Sequence, residues 1–282
     1  MKEVIKTLNH YPMYYHAYYD TLMATVDVDQ RKNDVMTVVK KLKLDGTKAL
    51  NVLTIGCGNG KSDEPFIDNL LANYLNISYT AVEPVADELT KFEQLVKNKG
   101  DQWNNVTFDF RAITIEEYLE MNERKQFGMI IAAHSAYHFK DVECTILDLY
   151  NCLDKGGILF TRMDDGAWEK LSVKVGEYYT DPGYNCIGTR AIEDIINSRL
   201  TTVRYGSIKR ELWLDVTECF DEESQVGSHI IDFLTQIYNF REIAKPEIKK
   251  QILEYMRDEC CKKEENKVLF SKDEKDLFIF RD

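Results

Sequence analysis

Ala49-Leu50-Asn51-Val52-Leu53-Thr54-Ile55-Gly56-Cys57-Gly58-Asn59-Gly60 is the stretch on which the fold turns. A short apolar, partly β-branched run that halts at three glycines in five positions reads as a buried parallel strand ending in a glycine loop. Downstream the same alternation repeats. A helix is expected at 61–74, a strand at 77–82 closed by Glu83-Pro84, and a helix at 86–97. A strand at 106–110, a short helix at 115–120 and a strand at 127–134 follow. A helix at 142–152 then leads through a turn at 153–157 to a strand at 158–162. Strands alternating with helices at this spacing predict a parallel sheet with helices on both faces.

The glycine-loop strand lies within a first stretch, residues 1–165, that reads as an α/β nucleotide-binding unit. It is expected to divide into an N-terminal helical lid over 1–45 and a core over 46–165. The lid expectation rests on Tyr11, Tyr14, Tyr15, Tyr18 and Tyr19, which recur at helical intervals. These rings are placed either in packing against the sheet or over an active site. From 166 onward the pattern turns mainly helical, with candidate strands at 202–209, 212–216 and 277–281. With no Pro/Gly-rich linker, residues 166–282 are expected to complete the same sheet and add a cap. The charge-rich stretches 262–266 and 271–276 read as solvated turns.

Composition narrows the function. The 282 residues carry 36 Lys+Arg against 48 Asp+Glu, a net charge of −12, with 44% hydrophobic residues and only five prolines. Such a chain buries a sizeable core. Acidity spread along its length disfavours nucleic acid and anionic membrane as partners, because phosphate binding needs a basic face. No apolar run approaches the roughly 20 residues that span a bilayer, and the opening residues lack the apolar centre of a signal peptide, so a cytosolic location is expected. Seven scattered cysteines without CxxC spacing read as reduced thiols, and no metal site is expected.

The motif chemistry points to a nucleotide cofactor. Glycines let the backbone approach a ligand without an intervening Cβ, and Glu83, 27 residues after Gly56, stands where a carboxylate can accept both hydroxyls of a ribose. The pattern is GxGxG, ending before the helix, rather than the GxGxxG of dinucleotide-binding enzymes. The shorter form suits S-adenosylmethionine, which has no pyrophosphate to seat on a helix N-terminus.

In order along the chain, the loop, Val82-Glu83-Pro84, Ala133-His134-Ser135 and 153–159 resemble the seven-stranded class I methyltransferases. The fold expectation is therefore an α/β, Rossmann-like class I methyltransferase sheet with a smaller, mainly helical substrate-binding cap. Ala136-Tyr137-His138-Phe139-Lys140-Asp141, Trp168-Glu169-Lys170-Leu171, Asp232-Phe233-Leu234-Thr235, Asn239-Phe240 and Lys267-Val268-Leu269-Phe270 narrow the resemblance to the histamine N-methyltransferase family. That resemblance implies a monomeric enzyme that moves the methyl group of S-adenosylmethionine to a nitrogen of a small imidazole or biogenic amine, leaving S-adenosylhomocysteine. Carried over by position, it implies cofactor contacts at Gly56, Gly58, Glu83, Thr114, Ile115 and Ala133. Glu88 stands at the family's glutamine position, where a carboxylate accepts but cannot donate.

On the substrate side the resemblance implies Tyr11 and Tyr15 in a lid, Trp168 and Phe233 in an aromatic wall, and Asp27 or Asp29 at the family's N-terminal glutamate. Ser172 replaces a second tryptophan, so the wall reads as wider. His134 and His138 stand where the family has glutamine and tyrosine. Either could orient the acceptor or take its proton, and a spacing of four would put both on one face of a helix. Lys272 would favour an acceptor bearing a carboxylate, such as histidine or an imidazole dipeptide like carnosine, whereas a carboxylate facing the site would favour a cationic amine. A homologue that binds the cofactor without transferring methyl is the remaining alternative.

Overall fold

The structure, a computed structural model, describes residues 2–5, 7–8, 28–121, 125–181, 185 and 187–282. The expected lid aromatics Tyr11 and Tyr15, and Asp27, lie outside the described residues. In chain order the elements are β1 (Glu3–Val4), α1 (Val28–Val39), β2 (Leu50–Ile55), α2 (Glu64–Leu71), β3 (Ile77–Val82), α3 (Ala86–Lys99), β4 (Val106–Arg111), α4 (Ile115–Glu120), β5 (Phe127–Ala133), α5 (Val142–Asn151) and β6 (Leu153–Asp164). They continue as α6 (Ala167–Val175), β7 (Tyr179–Thr180), α7 (Thr189–Arg199), β8 (Tyr205–Arg210), β9 (Trp213–Asp215), α8 (Gln225–Thr235), α9 (Phe240–Ile243), α10 (Pro246–Glu259), β10 (Cys261–Glu264), β11 (Lys267–Ser271) and β12 (Glu274–Phe280).

The chain divides into two compact units, each assembled from separated segments. One comprises Asp27–Met163, Ile192–Ile208 and Asp276–Asp282; the other comprises Met1–Val26, Asp164–Ala191 and Lys209–Lys275. A seven-stranded sheet runs in the order β4-β3-β2-β5-β6-β12-β8. The pairs β2–β3, β3–β4, β2–β5 and β5–β6 are parallel. Order reverses between β2 and β5, and in open α/β sheets ligands bind outside the carboxyl ends of the strands at such a reversal. β2 and β3 read as near-continuous apolar runs because the sheet buries both of their faces. Phe66, Ile67 and Leu70 of α2, with Leu89 and Phe92 of α3, join that core.

Two expectations need correction here. The turn foreseen at 153–157 is an irregularity inside β6: Phe127 pairs with Leu153 and Met129 with Ile158, so four residues of β6 stand opposite Gly128 alone and the register shifts by three. The solvated turns foreseen at 262–266 and 271–276 are not turns throughout. Residues 261–264 and 267–271 form an antiparallel hairpin, and β9 pairs with β11 in a separate three-stranded sheet rather than joining the main one. Lys272, Asp273, Glu274 and Asp276 are all buried. Their charges are tolerated because each is matched. Asp276 receives a bidentate bond from Arg162 at 2.7 and 2.9 Å, Glu274 meets Lys272 at 3.3 Å and Arg210 at 3.4 Å, and Asp273 meets Lys209 at 3.1 Å.

In the unit that contains α6 and α8 to α10, Trp168, Leu171, Ile231, Phe233, Phe240, Ile252 and Met256 form the second core. Its turns are pinned by side chains. Asp232 accepts from the backbone N–H groups of Asn239 and Phe240 at 2.8 and 2.9 Å, and Gln236 and Asn239 adopt left-handed backbone conformations between them.

Candidate active site

Register builds the first half of the site. Ile55 pairs with Val82, so β2 and β3 end side by side. Gly56 N–H then donates to Val82 O at 2.8 Å, and Glu83 N–H continues to Arg111 O at 3.1 Å. This brings the Glu83 carboxylate under the loop, where Oε2 accepts from Gly58 N–H at 3.0 Å and Oε1 from Val85 N–H at 2.9 Å. Glu83 is buried, and burial pushes its carboxyl above the usual range, with the charge of Glu88 adding to the shift; the two backbone donors oppose it.

The glycines divide the work. Gly58 has φ +52°, and a Cβ built there would meet no atom within 4 Å, so the loop is open to a ligand at that point. Gly60 has φ +78° and its Cβ would sit 2.2 Å from the Phe92 ring, so this third glycine serves packing against α3. On the other side of the strand-order reversal, Thr54 pairs with Ile131, and extension of that register sets Gly56 beside the end of β5. Ser135 Cβ would lie 2.6 Å from a Cβ on Gly56. The Ser135 hydroxyl is buried there without a hydrogen-bond partner among the described residues.

Beneath the loop sits a group that the motif reading missed. Asp63 occupies the N-cap position of α2 but makes no side-chain cap bond. Its carboxylate instead turns inward, accepting from the Tyr79 hydroxyl at 2.6 Å and from the Thr54 side chain, so it ties the loop's exit to β3 and β2. Burial pushes its pKa up to about 6 against the bonds from Thr54 and Tyr79, with the charge of Glu83 adding to the rise. The available signal was Asp63 itself, the first of two adjacent acids between the glycine loop and the apolar face of α2.

The remaining expected residues are distributed as follows. Glu88 lies buried in the first turn of α3 and pairs with Lys91. Thr114 caps α4 in a reciprocal box with Glu117, and Ile115 is buried in the adjoining turn. Ala133 ends β5, half-buried. Asp29 is exposed in the first turn of α1, where its charge complements the helix dipole.

His134 and His138 do not share a helical face. His134 has φ +55° at the end of β5, with its N–H bonded to Arg162 O at 2.8 Å, and His138 closes a 3₁₀ turn (Ala136–His138) with its ring edge-on to Tyr137 at 4.5 Å. A non-glycine residue held at positive φ is uncommon and concentrates at functional positions. In the other unit, Trp168 and Phe233 are buried against each other at 5.2 Å, and Trp168 Nε1 donates to Leu234 O. Lys272 covers the Trp168 ring at 5.0 Å, its ammonium already flanked by Glu274 at 3.3 Å and Asp164 at 3.9 Å. Its charge is thus balanced within the fold. Among the described residues no three His, Cys, Asp or Glu side chains converge in a way that could hold a metal ion.

These features fit S-adenosylmethionine: an open, positive-φ Gly58, a buried carboxylate for the ribose at the end of β3, and an unpartnered Ser135 hydroxyl beside Gly56. Comparison with known proteins agrees. Residues 28–209 match the model of the methyltransferase domain family. Carnosine N-methyltransferase 2 of Gallus gallus is 26% identical over 86% of this chain and 78% of its own length. The histamine N-methyltransferase of Bos taurus is 28% identical over 79% of this chain and 78% of its own. Among solved structures, the YcgJ protein of Bacillus subtilis superposes with a TM-score of 0.54 at 16% identity, covering 89% of this chain and 99% of that one. The plantazolicin methyltransferase BpumL in complex with SAH gives 0.53 at 13% identity, covering 96% and 90%. The chain belongs to the class I S-adenosylmethionine-dependent methyltransferases.

Proposed function

We propose that this methyltransferase acts on a nitrogen of histamine or a related small imidazole or biogenic amine. The observation that carries the reading is the reach of the similarity. The relatives named for histamine and carnosine align over about four-fifths of the chain, whereas superfamily kinship requires only the cofactor half. The reading includes a monomer in the cytosol. All six described cysteines are free, which suits a reducing compartment, and among the described residues no helix is long and apolar enough to cross a membrane.

When bound, S-adenosylmethionine supplies an activated methyl group on a sulfonium. The chain's own task is then to orient and exclude water. Glu83 holds the ribose hydroxyls, and the backbone from Gly56 to Gly58 lets the methionine end come close. A neutral imidazole nitrogen is nucleophilic without activation, so His134 and His138 are assigned to orienting the acceptor, with a ring nitrogen of either receiving the proton released afterwards. Cofactor titration followed by a transfer assay across histamine, carnosine, histidine and other biogenic amines tests the reading. Turnover of an imidazole or biogenic amine is expected. Cofactor binding without transfer to any of them would overturn the assignment and leave a binding protein.

A further inference from the structure

Gly56, Gly58 and Gly60 stand at φ +63°, +52° and +78°. Glycine loses more backbone freedom on ordering than any other residue, so a loop of this composition wanders unless its surroundings hold it. Ordering that is deferred until a ligand arrives is subtracted from affinity. The entry of the loop is fixed by strand register, through Gly56 N–H on Val82 O, and its middle by Glu83 on Gly58 N–H. Its exit is fixed by Thr54, Asp63, Tyr79 and Phe92, none of which is among the residues assigned to the cofactor.

The contacts at the exit close on themselves. A Cβ on Gly60 would sit 2.2 Å from the Phe92 ring, and Phe92 meets the Tyr79 ring edge-on at 6.4 Å. The Tyr79 hydroxyl donates to Asp63 Oδ1 at 2.6 Å, and Asp63 N–H returns to Gly60 O at 3.0 Å. Thr54, two residues before Gly56 on β2, gives the Asp63 carboxylate a second side-chain bond. All four residues are 2% exposed or less. The arrangement overrides a local preference, because an aspartate at a helix N-cap ordinarily accepts from the N–H groups of the first turn. Asp63 stands at that position with a helical backbone (φ −85°, ψ −27°) and makes no such bond among the described residues. Departures from local rules concentrate at functional sites.

We propose that Asp63 is a positioning residue for the methyl-transfer reaction: with Tyr79 and Thr54 it latches the exit of the glycine loop and so sets the affinity for S-adenosylmethionine. The inference rests on the assignment of Gly58 and Glu83 to the cofactor and adds a residue that acts through the loop backbone. Calorimetric titration of the full chain with S-adenosylmethionine, paired with thermal melts, tests it. Tyr79→Phe and Thr54→Val each remove one donor and are expected to weaken the cofactor about three- to tenfold. Asp63→Ala removes the acceptor of both and is expected to weaken it by roughly 10- to 30-fold, whereas Asp63→Asn, which keeps one acceptor oxygen, is expected to recover most of that loss. In the double variant Asp63→Ala/Tyr79→Phe the losses are expected not to add, because both remove the same bond. Ile67→Val loosens α2 within the same core and is expected to lower the melting temperature without changing affinity.

Wild-type affinity in folded Tyr79→Phe and Thr54→Val proteins would overturn the proposal, since a purely structural contact moves the melt and not the binding. So would a loss of affinity in Ile67→Val as large as theirs, or full additivity in the double variant. Should Asp63→Ala fail to fold, Tyr79→Phe and Thr54→Val carry the test. Glu83→Ala separates the two readings. If it weakens the cofactor and the latch variants do not, this inference alone fails; if the latch variants weaken the cofactor and Glu83→Ala does not, the assignment of Glu83 fails and the latch stands.

Discussion

Glu83 and Glu274 are both buried glutamates, yet they sit in opposite kinds of surroundings. Glu83 is held by two backbone N–H groups beside the open Gly58, and in the proposed function its charge is offered to the cofactor. Glu274 is wholly buried and held by Lys272 and Arg210, so its charge is consumed inside the fold. Backbone donors placed by strand register leave a carboxylate available to a third party; side-chain cations of equal and opposite charge do not. Burial of an acid is therefore no guide to function until its partners are known.

Removing one carboxylate at a time breaks the comparison. Glu274→Ala removes the shared counter-charge of two buried cations, Lys272 and Arg210, and is expected to lower stability by about 3–5 kcal/mol, read by denaturant unfolding. Glu83→Ala is expected to leave the melting temperature nearly unchanged while raising the dissociation constant for S-adenosylmethionine about 100-fold, or about 2.7 kcal/mol. An equal stability loss in both would remove the distinction.

The loop glycines sharpen it. Gly60→Ala is expected to cost about 2–4 kcal/mol of stability, because its Cβ meets the Phe92 ring. Gly58→Ala, in open space, is expected to cost about 1 kcal/mol in stability and to weaken the cofactor by about tenfold or more. Thermal melts paired with calorimetry separate the two.

The most specific effect concerns pH. The folded-state pKa of Asp63 is raised from 3.8 to about 6, so the folded state binds the proton more tightly than the unfolded chain. Its contribution to stability therefore falls as pH rises from about 4 to about 6 and is flat above, an upper bound of about 3 kcal/mol. Asp63→Asn is expected to flatten that part of the unfolding profile. An unaltered profile would show that Asp63 does not titrate there.

Cofactor affinity follows the other carboxylate. Burial raises Glu83 above the ordinary range, and its protonation would replace an acceptor by a donor at the proposed ribose position. Binding is expected to weaken on acidification from a higher pH than a free glutamate would give, and Glu88→Gln, by removing a like charge, should move the onset downward. Calorimetry across pH reads both.

The cofactor half was legible because its determinants are local. The expected strand at 77–82 and the short helix at 115–120 coincide with β3 and α4, and 86–97 falls inside α3. A parallel strand buried on both faces announces itself by composition, and glycines announce a loop that must run at positive φ. The sequence by itself therefore determined the alternating α/β order, the glycine loop and the carboxylate at the end of the second sheet strand.

Tertiary structure decided what depends on partners distant in the chain. Charge alone made 271–276 look solvated, because nothing nearby in sequence reveals that Arg162, 114 residues before Asp276, supplies its counter-charge. Likewise the two histidines looked like one helical face, whereas His134 is itself held at positive φ just after β5 and His138 lies in the 3₁₀ turn beyond it. The inward turn of Asp63 toward Tyr79 and the Tyr179 hydroxyl, unbonded among the described residues, were equally hidden. Pattern reports which residues are apolar and which must bend; only packing determines whether a polar side chain finds its partner inside the protein or awaits one from outside.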